Sequence, residues 1–146
     1  MTARAHIRLE GSVAVPLPQA QAFELFTPAG ERRWAAGWDP LFPASGEDET
    51  SPGAVFQTSH RNLVTWVVVA CDRPHSISYA NVSQDDRAGL VRVRCRPNRS
   101  QTTAEVSYDM TALSDDGDAA LREFAVNYEQ YMRHWQDAIA TAVAPG

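Results

Sequence analysis

Between Ala5 and Val15 the chain alternates: Ala5, Ile7, Leu9, Val13 and Val15 are apolar, and His6, Arg8, Glu10 and Ser12 fall on the opposite face. A period of two residues is that of a strand buried on one side. Pro16-Leu17-Pro18 ends it, and Pro18 suits the first turn of a helix, where a missing N–H leaves nothing unpaired. Ala22, Phe23, Leu25 and Phe26 then form the buried face of a short helix. A second short helix is predicted over Ala29 to Ala36, carrying Glu31, Arg32 and Arg33 with Trp34 on its inner side, and Gly37 closes it. Trp38-Asp39-Pro40-Leu41-Phe42-Pro43 is aromatic and proline-rich, which fits an ordered loop or an irregular edge strand. The polar run from Ser45 to Pro52 reads as a loop.

Four strands follow at the close spacing of an antiparallel meander: Ala54 to His60, Leu63 to Cys71, Ser76 to Ser83 and Gly89 to Arg96. A further strand runs from Thr102 to Leu113. After Ser114-Asp115-Asp116-Gly117-Asp118, which offers several N-cap residues, apolar positions recur at Leu121, Phe124, Ala125, Tyr128, Met132, Trp135, Ile139, Ala142 and Val143. At 100° per residue they share one broad stripe, with Arg122, Gln130, Arg133, His134 and Asp137 pointing away. The pattern predicts one helix from about Asp118 to Val143, roughly 39 Å long at 1.5 Å per residue. A single antiparallel sheet with its helices on one face buries all these apolar surfaces together, an α+β architecture. The expected organisation is one domain spanning residues 1–146.

Composition narrows the partners. The net charge of −5 disfavours nucleic acid, whose binders carry a basic excess. All 13 basic residues are Arg, so Schiff-base chemistry on a lysine is excluded. Cys71 and Cys95 have no metal-type spacing and read as small strand residues, buried or half-buried. The start MTARAHIRLE has no apolar signal region, and no run approaches a membrane span, so a cytoplasmic protein with reduced thiols is expected. No nucleophile-elbow, zinc-protease, P-loop or dinucleotide fingerprint is present. Four scattered histidines without matching carboxylate spacing point to no metal and no cofactor.

Several segments together resemble the START-like helix-grip (SRPBCC) superfamily, in particular bacterial polyketide cyclase/dehydratase proteins and heat-shock ATPase activator homologues. They are Phe23-Glu24-Leu25-Phe26-Thr27-Pro28-Ala29-Gly30-Glu31-Arg32-Arg33-Trp34 with Gly37-Trp38-Asp39-Pro40, then Thr65-Trp66-Val67-Val68 with Asp72-Arg73-Pro74, and Tyr108-Asp109-Met110-Thr111-Ala112-Leu113-Ser114. The similarity covers nearly the whole chain. It implies a curved antiparallel sheet around a long C-terminal helix packed on the concave face, with two short helices after the first strand. It also implies a deep cavity used for lipids, sterols or polyketides. It implies no shared catalytic set, because members range from carriers to cyclases.

Strand parity sorts the candidates. Val91, Val93 and Cys95 face one way and Arg92, Arg94 and Arg96 the other. Ala104, Val106, Tyr108, Met110 and Ala112 oppose Thr103, Glu105, Ser107, Asp109 and Thr111. With the apolar sets concave, the arginines form an outer charge ladder beside Glu105 and Asp109. Tyr79, Tyr108 and Met110 on strands, and Phe124, Tyr128, Met132 and Trp135 on the helix, are candidate walls of a ligand cavity; plain core packing accounts for the same pattern. Trp66 lies in a segment apolar on both faces and is expected inward. Trp34 and Trp38 flank Gly37 and either gate the cavity mouth or plug that end. For acid/base chemistry the candidates are His60, Glu24, Asp39 and Arg61, with His60 the one weak catalytic candidate. Binding or carriage of an apolar or aromatic small molecule is the leading expectation, with a cyclase/dehydratase enzyme or an ATPase-activator-like partner-binding protein as alternatives. A homodimer is compatible with the exposed sheet edge.

Overall fold

The computed structural model describes residues 3–44, 48–59 and 62–145. The predicted alternation becomes strand β1 (His6–Val15), followed by helix α1 (Gln19–Glu24). Strands β2 (Val55–Thr58), β3 (Val64–Asp72), β4 (Ser76–Ser83), β5 (Arg87–Asn98) and β6 (Gln101–Ala112) follow. All neighbours pair antiparallel in the order β1-β6-β5-β4-β3-β2, so the first strand closes back on the last and β1 and β2 are the edges. The C-terminal segment packs across one face of this curved sheet, a helix-grip arrangement.

Two helical expectations are corrected. The predicted helix over Ala29 to Ala36 is one 3-10 turn, Gly30–Arg33. Its short span follows from its setting. Thr27 is buried and uses its hydroxyl twice, donating to the Glu24 carbonyl at 2.8 Å and accepting from the Gly30 N–H at 3.0 Å. The Cβ that Gly30 lacks would meet the Glu24 carbonyl oxygen at 1.6 Å, so the chain doubles back too tightly for a regular helix.

The second correction concerns the C-terminal helix, which begins earlier than predicted and bends. Helix α2 (Asp115–Val126) starts where Ser114 accepts a hydrogen bond from the Gly117 N–H at 2.9 Å, with Asp115, Asp116 and Asp118 in the favourable first turn. Helix α3 (Tyr128–Val143) follows after Asn127, whose backbone leaves helical geometry at φ −100°, ψ 9°. Hydrogen bonding runs through the bend: Asn127 N–H reaches the Glu123 carbonyl at 3.1 Å, and Tyr131 N–H reaches Asn127 at 3.0 Å. The Asn127 side chain donates a further bond to the same Glu123 carbonyl at 3.1 Å, the local competition that disfavours asparagine inside helices.

The bend lets α2 lie over β6 and α3 lie over β1. Gly11 makes the second approach possible, because a Cβ there would stand 2.9 Å from Met132 Cγ. The main core joins Val13, Val15, Val93 and Val106 of the sheet to Phe23, Phe26, Tyr128, Met132 and Ile139 of the helical segments. The other half of the concave face, toward β2 and β3, is covered by the 3-10 turn and the segment after it. Leu41 ties that segment to Gln57 of β2 by two backbone hydrogen bonds of 2.9 Å.

Strand parity held on the outer face, but the charge ladder did not form as expected. Arg96 meets Glu105 at 2.7 Å. Asp109 instead faces β1, where His6 at 2.5 Å and Arg8 at 3.2 Å hold it, because the register sets Leu90 opposite it on β5 and Arg8 opposite it on β1. Strand β3 also carries an irregularity. The register of β3 against β4 shifts between Val68 and Ala70, so Val69 is an extra residue at a bulge and is exposed.

Candidate functional site

The concave face leaves space between two aromatic clusters. One joins Phe26, Trp34, Trp135, Tyr131 and Tyr108 across the α3 side, with Trp34 and Trp135 ring centres 4.9 Å apart and Tyr131 and Trp135 5.6 Å apart. The other joins Trp38, Phe56, Trp66 and Tyr79 on the β2–β4 side, with the Phe56 and Trp66 rings parallel at 5.9 Å. Both clusters line one cavity of about 250 Å³, floored by Val91 and Val93. A second space of about 340 Å³ shares Thr58, Trp66, Tyr108 and Tyr131 as walls and extends past Met110 and Phe124 toward Arg87. The first falls just under the ~300 Å³ low end for drug-sized ligands, and the second lies just above it.

Most polar tips in these walls are already committed. Trp34 donates to the Leu25 carbonyl at 2.7 Å, Trp38 to Pro28 at 2.8 Å, Trp66 to Thr58 Oγ1 at 3.0 Å, and the Tyr79 hydroxyl to Phe26 at 2.7 Å. These bonds fix the rings and leave them to act as apolar surface. The Tyr108 and Tyr131 hydroxyls face each other, and the Trp135 indole N–H points to Tyr131 as well, so these three polar tips lie together on the α3 side of the space. Tyr131 is 37% exposed and borders both spaces.

The fourth polar group is Glu31. The 3-10 turn directs it into the cavity, and its backbone is held from both sides: its N–H donates to Thr27 at 3.0 Å and its carbonyl accepts from Ala35 at 2.8 Å. Among the described residues, no side chain forms a hydrogen bond or ion pair with its carboxyl. Burial pushes that carboxyl well above the usual range. Burial also raises the Tyr79, Tyr108 and Tyr131 phenols, and the Glu31 charge adds to each. By surface area Glu31 is half-buried, and it borders the aromatic cavity.

The structure brings Trp38, Trp66, Tyr79, Tyr108 and Trp135 together around the first space, and Met110 and Phe124 beside the second. Tyr128 and Met132 lie elsewhere. Tyr128 donates to the Val106 carbonyl at 2.8 Å, and both side chains fill the contact over Gly11. Glu24 is exposed and paired with Arg73, and Asp39 is exposed beside Arg32 at 3.7 Å, so neither acid/base candidate reaches the cavity. His60 and Arg61 lie outside the described residues.

Sequence reasoning missed Glu31 and Tyr131. Tyr131 was accessible from spacing, since it follows Tyr128 by three residues and precedes Trp135 by four. Glu31 was obscured by its neighbours Arg32 and Arg33, which make the turn look like a solvated surface. The available signal was Thr27 and Gly30 three residues apart, a compact corner rather than a helix start.

No family model matches the chain, and no curated protein does. Among solved structures, Mll3558 from Rhizobium loti is similar with a TM-score of 0.69 and 18% identity, over 97% of this chain and 100% of its own. CalU16 from Micromonospora echinospora gives 0.58 and 16%, over 97% and 98%. DynU16, a protein in the dynemicin biosynthetic locus, gives 0.64 and 14%, over 92% of this chain and 46% of the DynU16 chain. At these identities the likeness is one of fold: the chain is an α+β protein with a six-stranded antiparallel sheet and a C-terminal helix of the helix-grip kind.

Proposed function

We propose that the protein binds or carries an apolar or aromatic small molecule between the two aromatic clusters. The observation that carries this reading is the division of labour in the walls. Four donors are spent on backbone or Thr58 contacts and hold their rings as apolar walls, whereas Glu31, Tyr108 and Tyr131 supply the remaining polar groups that border the space. A site with apolar walls and a few convergent polar groups is built to hold a ligand in one orientation. The resemblance of the sequence to START-like helix-grip proteins supports the reading, as does the fold shared with a protein of the dynemicin biosynthetic locus.

Titration with N-phenyl-1-naphthylamine, a neutral fluorescent probe, tests it. The tryptophans around the cavity are expected to transfer excitation to the bound probe in a saturable manner, and filling the floor with Val91→Phe should abolish the signal without unfolding the protein. Saturable binding unaffected by V91F, or none at all, would contradict the reading.

One observation favours a second reading, an enzyme of the cyclase/dehydratase kind. Glu31 borders the cavity beside Tyr79, Tyr108 and Tyr131, and burial raises its carboxyl well above the usual range, the direction that suits a general acid. Turnover of a poly-β-ketone that Glu31→Gln eliminates while the probe still binds would support this reading. Turnover unchanged in E31Q would remove it.

A further inference from the structure

Among the described residues, no counter-charge meets Glu31 in the cavity. Of the cations on its own turn, Arg32 reaches away to the Pro40 carbonyl at 2.9 Å and to Asp39, and Arg33 is exposed. Across the space it faces Tyr79 from β4, Tyr108 from β6, and Tyr131 and Trp135 from α3. Arg87 of β5 reaches the neighbouring space, but Asp86 holds it at 3.4 Å and it lies over the Phe124 ring at 5.9 Å. Arg73 and Glu49 act on Tyr79 from outside the cavity. Ring faces and phenol oxygens present negative potential, so the aromatic walls of the cavity favour a positive guest.

Resting on the reading that this space takes a small molecule, we propose that its preferred ligand is an organic cation, an amine or quaternary ammonium on an apolar body, with the positive group seated on Glu31 among the aromatic rings. The arrangement combines a carboxylate partner with ring faces, the two features that recognise ammonium groups. Binding carries a proton change. Where Glu31 is protonated in the free protein, the cation displaces that proton to solvent, giving carboxylate, bound ammonium and one released H⁺. Affinity is therefore expected to rise with pH until Glu31 is ionised in the free protein, and then to level off. The phenols titrate higher and stay neutral across this range.

The test compares benzyltrimethylammonium with neopentylbenzene, its neutral carbon twin of nearly the same shape, by calorimetry on the intact protein. The quaternary cation cannot itself lose a proton, so any pH dependence belongs to the protein. At about pH 8 the cation is expected to bind at least ~10-fold more tightly than the neutral twin. That preference should shrink toward about pH 5, with heat that varies with buffer ionisation enthalpy in the pH range where protons are released. Glu31→Gln should remove the preference, read as the ratio of the two affinities in the variant against that in the wild type. If the neutral twin binds as tightly as the cation, or the preference survives in E31Q, the cation proposal falls and the cavity reading stands. If neither compound binds, both fall.

Discussion

Gly30 has no Cβ because the Glu24 carbonyl oxygen occupies the place: an ideal Cβ would sit 1.6 Å from it. This contact folds the chain at Thr27 and turns Glu31 inward. Gly30→Ala must therefore push the 3-10 turn off α1, and overpacking of this kind costs about 1–3 kcal/mol. Urea unfolding should show that loss, and probe affinity should fall because Glu31, Trp34 and Trp38 move with the turn. An unchanged midpoint would mean the corner relaxes freely.

Tyr79 and Tyr131 make opposite forecasts for the same chemical change. The Tyr79 hydroxyl satisfies a buried Phe26 carbonyl at 2.7 Å, so Tyr79→Phe leaves that acceptor unpaired and should cost about 1–3 kcal/mol. The Tyr131 hydroxyl meets Tyr108 and Trp135 beside the cavity rather than a buried backbone carbonyl, and Tyr131→Phe should cost less stability than Tyr79→Phe while altering ligand affinity. Equal stability losses in the two variants would show that Tyr131 is a structural residue.

Much of this architecture was legible because strands write their burial into a period of two. The alternation of Ala5 to Val15 gave β1 nearly to the residue, and parity put Val91, Val93 and Cys95 inward and the three arginines outward, as found. Period-based reasoning failed where a single residue changes the geometry. The bulge at Val69 resets parity, Asn127 bends the helix through its own side chain, and Gly30 compresses a predicted helix into one turn. Each is a local conformational choice decided by packing. The site was legible to a lesser degree: Tyr108 followed from strand face, Trp66 was expected inward in a segment apolar on both faces, and Glu31 depended on a corner whose hydrogen bonds join residues three apart.

Glu31 should also write itself into the pH dependence of folding. Its carboxyl is raised in the folded state by burial, whereas in the unfolded chain it titrates near an ordinary ~4.3. Below that pH it is protonated in both states and imposes no penalty. As pH rises, the unfolded chain gives up the proton first, so folded-state stability falls until pH passes the folded value, after which the penalty is constant. Glutamine has no such titration. The stability of Glu31→Gln relative to wild type should therefore grow with pH across that window, read by urea unfolding in matched buffers; a difference independent of pH would place the carboxyl in water.

The most direct test of a ligand space on the concave face is backbone amide NMR during titration with naphthalene, a neutral probe that reports position as well as binding. Shifts are expected at Thr58, Val91, Val93, Tyr108 and Tyr131, with Arg92 and Arg94 of the convex face far less affected. Saturating shifts confined to the outer face or to the sheet edges, or no shifts at all, would contradict the presence of a ligand chamber between the two aromatic clusters.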